Sequence, residues 1–126
     1  MSVIVSSVIL YVRDPAVSIR FYVDLLGVPA IEEHPNFAML PMAPGVMLGL
    51  WKQEDVAPPV GPRGEAGSEL AITVPDREAV LTLHQDWIGR GISVIQAPVM
   101  CDFGFTFTAL DPDGHRVRVM ALTPMA

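Results

Sequence analysis

At 126 residues the chain is long enough for one domain with a real core but too short for two independent ones. Apolar residues make up 51% of it and mean hydropathy is +0.42, yet no apolar run approaches the ~18 residues of a membrane span. A formal charge of −6, with Lys52 and seven arginines as the basic residues, leaves no basic stripe and argues against nucleic acid as a partner.

The opening SVIVSSVILYV carries neither a basic n-region nor a small-residue cleavage site, so it reads as a strand rather than a signal peptide. From Ser7 to Gly27 runs SVILYVRDPAVSIRFYVDLLG. From Glu69 to Gly89, with both ends displaced by the same 62 residues (7 to 69, 27 to 89), runs ELAITVPDREAVLTLHQDWIG. Each copy reads as a strand, an aspartate at the turn, an amphipathic helix and a glycine stop. Asp14 and Asp76 are N-cap candidates, and Pro15 suits the first helical position. Val17, Phe21 and Leu25 fall at helical spacing, as do Val80, Leu83, Trp87 and Ile88. Gly27 and Gly89 are candidates for the left-handed residue that ends each helix.

Further strands follow each glycine. The first half offers 28–33, 37–41 and 46–52, with PMAPG as a hairpin; the second offers 92–96, 103–110 and 116–122, with DPDG in the same role. Glu54 to Ser68, EDVAPPVGPRGEAGS, reads as a linker or flexible loop. The expectation is a single α+β domain over residues 1–126, built of tandem βαβββ modules (about 1–53 and 69–126) that form a curved mixed sheet with helices outside and a concave inner face. The lone Cys101 cannot form an intrachain disulfide, which makes a reducing cytoplasm the expected location and a small buried hydrophobe its expected role.

The tandem layout, the VRD…S…FY…LLG signature of Val12 to Gly27 and the DPDG hairpin resemble the vicinal-oxygen-chelate superfamily, which includes glyoxalase I, extradiol dioxygenases and bleomycin-resistance proteins. The run FGFTFTALDPDGHRVRV, with GLW at Gly49 to Trp51, is more similar still to phenazine-type antibiotic-resistance proteins, which bind flat aromatic drugs. The resemblance implies four metal-ligand positions in the metal-dependent members. Here they fall on Ser7, on or near Gly49, on Glu69 and on Arg118. A guanidinium has no lone pair to offer a cation, and one carboxylate does not hold a catalytic ion, so no metal and no cofactor is expected.

Alternation assigns Ser7, Ile9 and Tyr11, then Met47, Gly49 and Trp51, then Glu69, Ala71 and Thr73, then Arg116, Arg118 and Met120 to the inner face. An indole, two thioethers, a small residue and an acid–base pair suit a flat aromatic ligand with a polar edge. The candidate ligand-binding residues are Ser7, Tyr11, Met47, Gly49 (leaving room for the ligand), Trp51, Glu69, Arg118 and Met120, with Phe103 and Phe107 added from a strand where Phe103, Phe105 and Phe107 share one face. That face reads first as a core or interface stripe, and Glu69 with Arg118 reads equally as a structural ion pair. His34, His84 and His115 share no ligand spacing and read as surface residues. No nucleophile motif or phosphate loop is present, so the leading reading is a non-catalytic protein that sequesters an aromatic natural product or antibiotic. Its rival is a lyase, isomerase or dioxygenase of the same fold. The resemblance also implies a homodimer with sites shared across the interface.

Overall fold

The computed structural model describes residues 6–57 and 69–123. The chain forms two compact units, one within residues 1–62 and one within 63–126. The fold is α+β, and among the described residues there are two α-helices and two four-stranded mixed sheets.

The first unit contains β1 (Ser7–Val12), α1 (Pro15–Leu26), β2 (Glu32–His34), β3 (Phe37–Ala43) and β4 (Val46–Lys52), in the sheet order β1-β4-β3-β2. β1 pairs parallel with β4, and the other pairs are antiparallel. Asp14 caps α1 by accepting from the Ala16 amide at 3.0 Å, Pro15 takes the first helical position, and Gly27 closes the helix at φ 69° with its N–H on the Val23 carbonyl. The helix packs on β2, β3 and β4. Its buried residues are Pro15, Ser18, Ile19 and Tyr22 rather than the expected Val17, Phe21 and Leu25, and Val17 is exposed. The stripe that packs on the sheet is thus displaced by about one residue from the expected one, with Tyr22 rather than Phe21 fully buried. Leu10, Val12, Ala38, Leu40, Leu48 and Leu50 supply the sheet side of this core. Each fully buried leucine contributes about 1.5–3 kcal/mol.

The second unit repeats the plan with β5 (Glu69–Thr73), α2 (Arg77–Gly89), β6 (Val94–Cys101), β7 (Gly104–Leu110) and β8 (Arg116–Leu122), ordered β5-β8-β7-β6. Asp76 caps α2 through the Ala79 amide at 2.9 Å. The helix runs past its expected stop. Gly89 is its last residue, and the left-handed position belongs to Gly91 at φ 78°. There the Ile92 amide reaches the Trp87 carbonyl and the Gly91 amide reaches the Ile88 carbonyl, the paired bonds of a Schellman ending. Two glycines flank Arg90, and only the closing bonds decide which one turns the chain. Val80 and Trp87 are buried as expected, but Ile88 is exposed.

β6 extends well beyond the expected 92–96, as an edge strand whose register shifts around Gln96 and Pro98. Proline has no ladder hydrogen to give, so it is tolerated at such an edge. The DPDG turn closes on Asp111, 5% exposed, whose Oδ1 accepts from the amides of Asp113 and His115, each at 2.8 Å; Gly114 supplies the positive φ. This turn buries His115, against the surface reading, and His84 stacks edge-on at 5.3 Å against Phe107. His34 is exposed on β2, 3.3 Å from Glu32.

Of the expected linker, Glu54 and Asp55 complete a 3-10 turn begun by Gln53 and Val56 is buried, while Glu54, Asp55 and Ala57 are exposed; the remainder, 58–68, lies outside the described residues. Among the described residues no helix is long and apolar enough to cross a membrane.

Candidate functional site

In the first unit the register lays three short rows across the sheet face opposite α1: Ser7 beside Met47 and Pro41, Ile9 beside Gly49 and Met39, and Tyr11 beside Trp51 and Phe37. Ile9 and Tyr11, on the end strand of this sheet, are exposed at 43% and 38%. Tyr11 and Trp51 meet edge to face, with ring centroids 6.4 Å apart at 78°. The result is an apolar, aromatic surface with a hydroxyl at each end of β1.

Gly49 plays a different part from the one expected. A β-carbon there would meet the Phe37 ring at 3.1 Å and the Ile9 side chain at 3.2 Å. The space left by its missing side chain is already taken by Phe37 and Ile9, so Gly49 seats a protein ring rather than a ligand. Phe37 and Met39 were absent from the sequence-based set because their strand was placed without a face.

On the corresponding face of the second unit, Arg118 is the hub. Its Nε donates to Glu69 Oε2 at 2.8 Å, and its Nη1 donates to Gln96 Oε1 at 3.3 Å and to Thr106 Oγ1 at 3.2 Å. Thr108 Oγ1 donates to the same Gln96 oxygen at 2.9 Å, and Thr106 Oγ1 passes its own hydrogen to the Val119 carbonyl at 2.8 Å. Thr106 and Thr108 are buried beneath the guanidinium, whose side chain is 16% exposed against 36% for Glu69. A near-buried charge therefore has an opposite charge and a floor of hydroxyl and amide oxygens. The two arginines that share a face of RVRV thereby acquire separate roles. Arg118 holds this network, while Arg116, opposite Glu69 on the ladder, is exposed.

Phe103 lies in the turn between β6 and β7 with its ring 5.5 Å from Arg118 Cζ, and it is 42% exposed. Phe107 does not share its surroundings. It is fully buried against Trp87 and His84 on the helix side, in register with Val119, and belongs to the core. Phe105 follows it, with Arg77 over its ring at 4.3 Å. The alternation that grouped the three rings breaks at Gly104, whose φ of 150° only glycine adopts readily. Met120 pairs with Thr73 and Thr106 on the Arg118 face and is half-buried.

Gln96, Thr106 and Thr108 were missed in the sequence. The signal was present, since FTFT alternates hydroxyl with ring and puts both threonines on the face that β8 gives to Arg118. On the helix side of the first unit, Ala16, Ile19, Arg20, Val23, Ala30 and Glu33 line a groove of about 230 Å³; none of the expected site residues lines it.

The four positions that correspond to metal ligands do not fit a divalent ion. Ser7 offers one neutral hydroxyl, Gly49 nothing, and Glu69 a carboxylate whose charge is matched by Arg118 at 2.8 Å. Among the described residues no three His, Cys, Asp or Glu side chains gather in a way that could hold a metal.

The sequence pattern of the Glyoxalase/Bleomycin resistance protein/Dioxygenase superfamily matches residues 4–119. Over 117 residues the chain is 29% identical to the phenazine antibiotic resistance protein EhpR of Enterobacter agglomerans, covering 90% of this chain and 88% of EhpR. The solution structure of protein ATC0852 from Agrobacterium tumefaciens is 38% identical with a TM-score of 0.87, covering 98% of this chain and 100% of that one. A glyoxalase/bleomycin resistance protein/dioxygenase family enzyme from Burkholderia phytofirmans is 25% identical with a TM-score of 0.79, covering 94% and 98%. With two βαβββ units in tandem and the family pattern spanning nearly every described residue, this chain belongs to the glyoxalase/bleomycin resistance protein/dioxygenase superfamily.

Proposed function

We propose that this protein binds and sequesters a planar aromatic natural product or antibiotic, phenazine- or quinoxaline-like, without a metal ion, and so serves resistance or self-protection in the cytoplasm. The observation that carries the reading is the Glu69–Arg118 pair: a guanidinium at 2.8 Å from the carboxylate stands where metal-dependent relatives need a ligand. The similarity to EhpR over 90% of the chain supports an aromatic drug as the ligand class. Tyr11 and Trp51 supply a surface for stacking, Met47 and Met120 adapt to the ligand's outline, and Ser7, Glu69 and Arg118 offer polar contacts at its edge. Phe103 adds a second ring beside Arg118. Phe107 and Gly49 drop out of the contacting set.

Trp51→Ala tests the stacking role. Phenazine binding is expected to weaken by about 1–3 kcal/mol, read by calorimetry, with the thermal transition little changed because Trp51 is only half-buried. The other indole, Trp87, is 2% exposed and remains in Trp51→Ala, so the difference in ligand quenching between the two proteins isolates the Trp51 contribution. Unchanged affinity in the folded mutant would move the pocket elsewhere.

A homodimer completes the proposal, each site taking Ser7 and Trp51 from one subunit and Glu69 and Arg118 from the other. Among the described residues the end strands of both sheets, β1 and β2, β5 and β6, have no strand on their outer edges, and closed symmetry can shield such edges. Light scattering is expected to give about twice the chain mass of 13.7 kDa. A monomer at micromolar concentration would remove the shared site.

A further inference from the structure

We infer that the ligand engages Arg118 and Gln96 through an uncharged hydrogen-bond acceptor, such as a ring nitrogen or a carbonyl or carboxamide oxygen, and that Glu69 selects against a carboxylate at that edge. The inference rests on the binding reading above and names the chemistry its ligand must carry.

The donor count comes first. Arg118 has five N–H groups. Nε and Nη1 account for the three bonds to Glu69, Gln96 and Thr106, and Nη2 has no hydrogen-bond partner among the described residues. The orientation of Gln96 follows from chemistry. Arginine only donates, so the Gln96 atom it meets must be the oxygen, and Thr108 donates to that same oxygen. The Gln96 amide nitrogen, with two hydrogens, has no partner among the described residues either. Two donor groups joined through one 3.3 Å hydrogen bond thus lack an acceptor, on a strand face next to an exposed phenyl ring. Donors held in place by a shared network are pre-organised for an acceptor on a flat ligand lying along Phe103.

Charge decides which acceptor. The guanidinium is already balanced by Glu69 at 2.8 Å, so this pair is neutral before any ligand arrives, while Arg116, opposite Glu69 on the ladder, is exposed and its charge is screened by solvent. A carboxylate at Nη2 would place a second anion on the same guanidinium as Glu69, in a protein of net charge −6. A carbonyl or ring nitrogen satisfies the same donors without that repulsion.

The experiment compares phenazine-1-carboxamide with phenazine-1-carboxylate by calorimetry at pH 7, on the full chain and on Glu69→Gln. Glutamine keeps an acceptor oxygen for Arg118 Nε and removes the negative charge. The unmodified protein is expected to bind the carboxamide about tenfold tighter or more, and the Gln variant is expected to cut that preference about tenfold or invert it. Tighter carboxylate binding by the unmodified protein, or a preference that Glu69→Gln leaves unchanged, overturns the inference while leaving aromatic binding intact. If neither phenazine binds either protein, the sequestration reading fails and this inference falls with it.

Discussion

Replacing Gly104 by alanine is expected to destabilise the protein by about 3–5 kcal/mol and to lower the thermal midpoint by roughly 10 °C or more. The residue follows the two-residue turn Asp102–Phe103 and pairs with Cys101 on one side and Leu122 on the other. Its φ of 150° already disfavours any side chain. A β-carbon would also collide with the Ala121 carbonyl oxygen and lie 2.9 Å from Leu122 Cα and 3.0 Å from Ala121 C. All three atoms are backbone of β8, tied to β7 by the ladder and by the bond from the Thr123 amide to the Phe103 carbonyl. They cannot yield as a flexible side chain would. Gly45→Ala is the control. That residue also has positive φ, 76°, but open space around it, so only the left-handed backbone penalty of about 1–2 kcal/mol applies. Equal midpoints for the two variants in thermal melts would show that β8 moves aside freely and that Gly104 does not fix the hairpin. Because β8 also carries Arg118 and the turn carries Phe103, this packing is what brings ring and guanidinium together.

Arg118→Met separates a ligand-binding arginine from one that merely fills a cavity. Removing one partner of a fully buried pair costs about 3–5 kcal/mol, since the survivor is left charged and dry. The partners here are better provided for. Thr106 keeps its bond to the Val119 carbonyl, Gln96 keeps Thr108, and Glu69 is 36% exposed and can be hydrated. The expected stability loss is therefore only about 1–2 kcal/mol in a urea melt. Phenazine affinity is expected to fall tenfold or more, because the variant loses both the free Nη2 donors and the anchor that orients Gln96. A stability loss of 3–5 kcal/mol with unchanged affinity in the folded protein would show that the pair is structural and that the ligand lies elsewhere.

Local signals fixed a good part of this protein. The repeat from Ser7–Gly27 to Glu69–Gly89 foretold both β-α units, since Asp14 and Asp76 cap through their own side chains and need no distant partner. Period-two alternation put Ser7, Tyr11, Met47 and Trp51 on one face and Arg118 and Met120 on one face, because a strand has only two sides. Sequence chemistry also argued against a metal at Ser7, Gly49, Glu69 and Arg118, as donor capacity is a property of residue type. Packing between elements decided the rest. Which stripe of α1 is buried depended on how Tyr22 fits the sheet, and which glycine ends α2 depended on bonds that form only once the chain turns. Phe103 and Phe107 look equivalent in FGFTF, yet one positive-φ glycine sends the first toward Arg118 and leaves the second under Trp87. Gln96 stands 22 residues before Arg118 and two strands away, with β7 between them. No local pattern links the two; only the β6-β7-β8 register does, and that register gave the arginine a floor and the floor a free pair of donors.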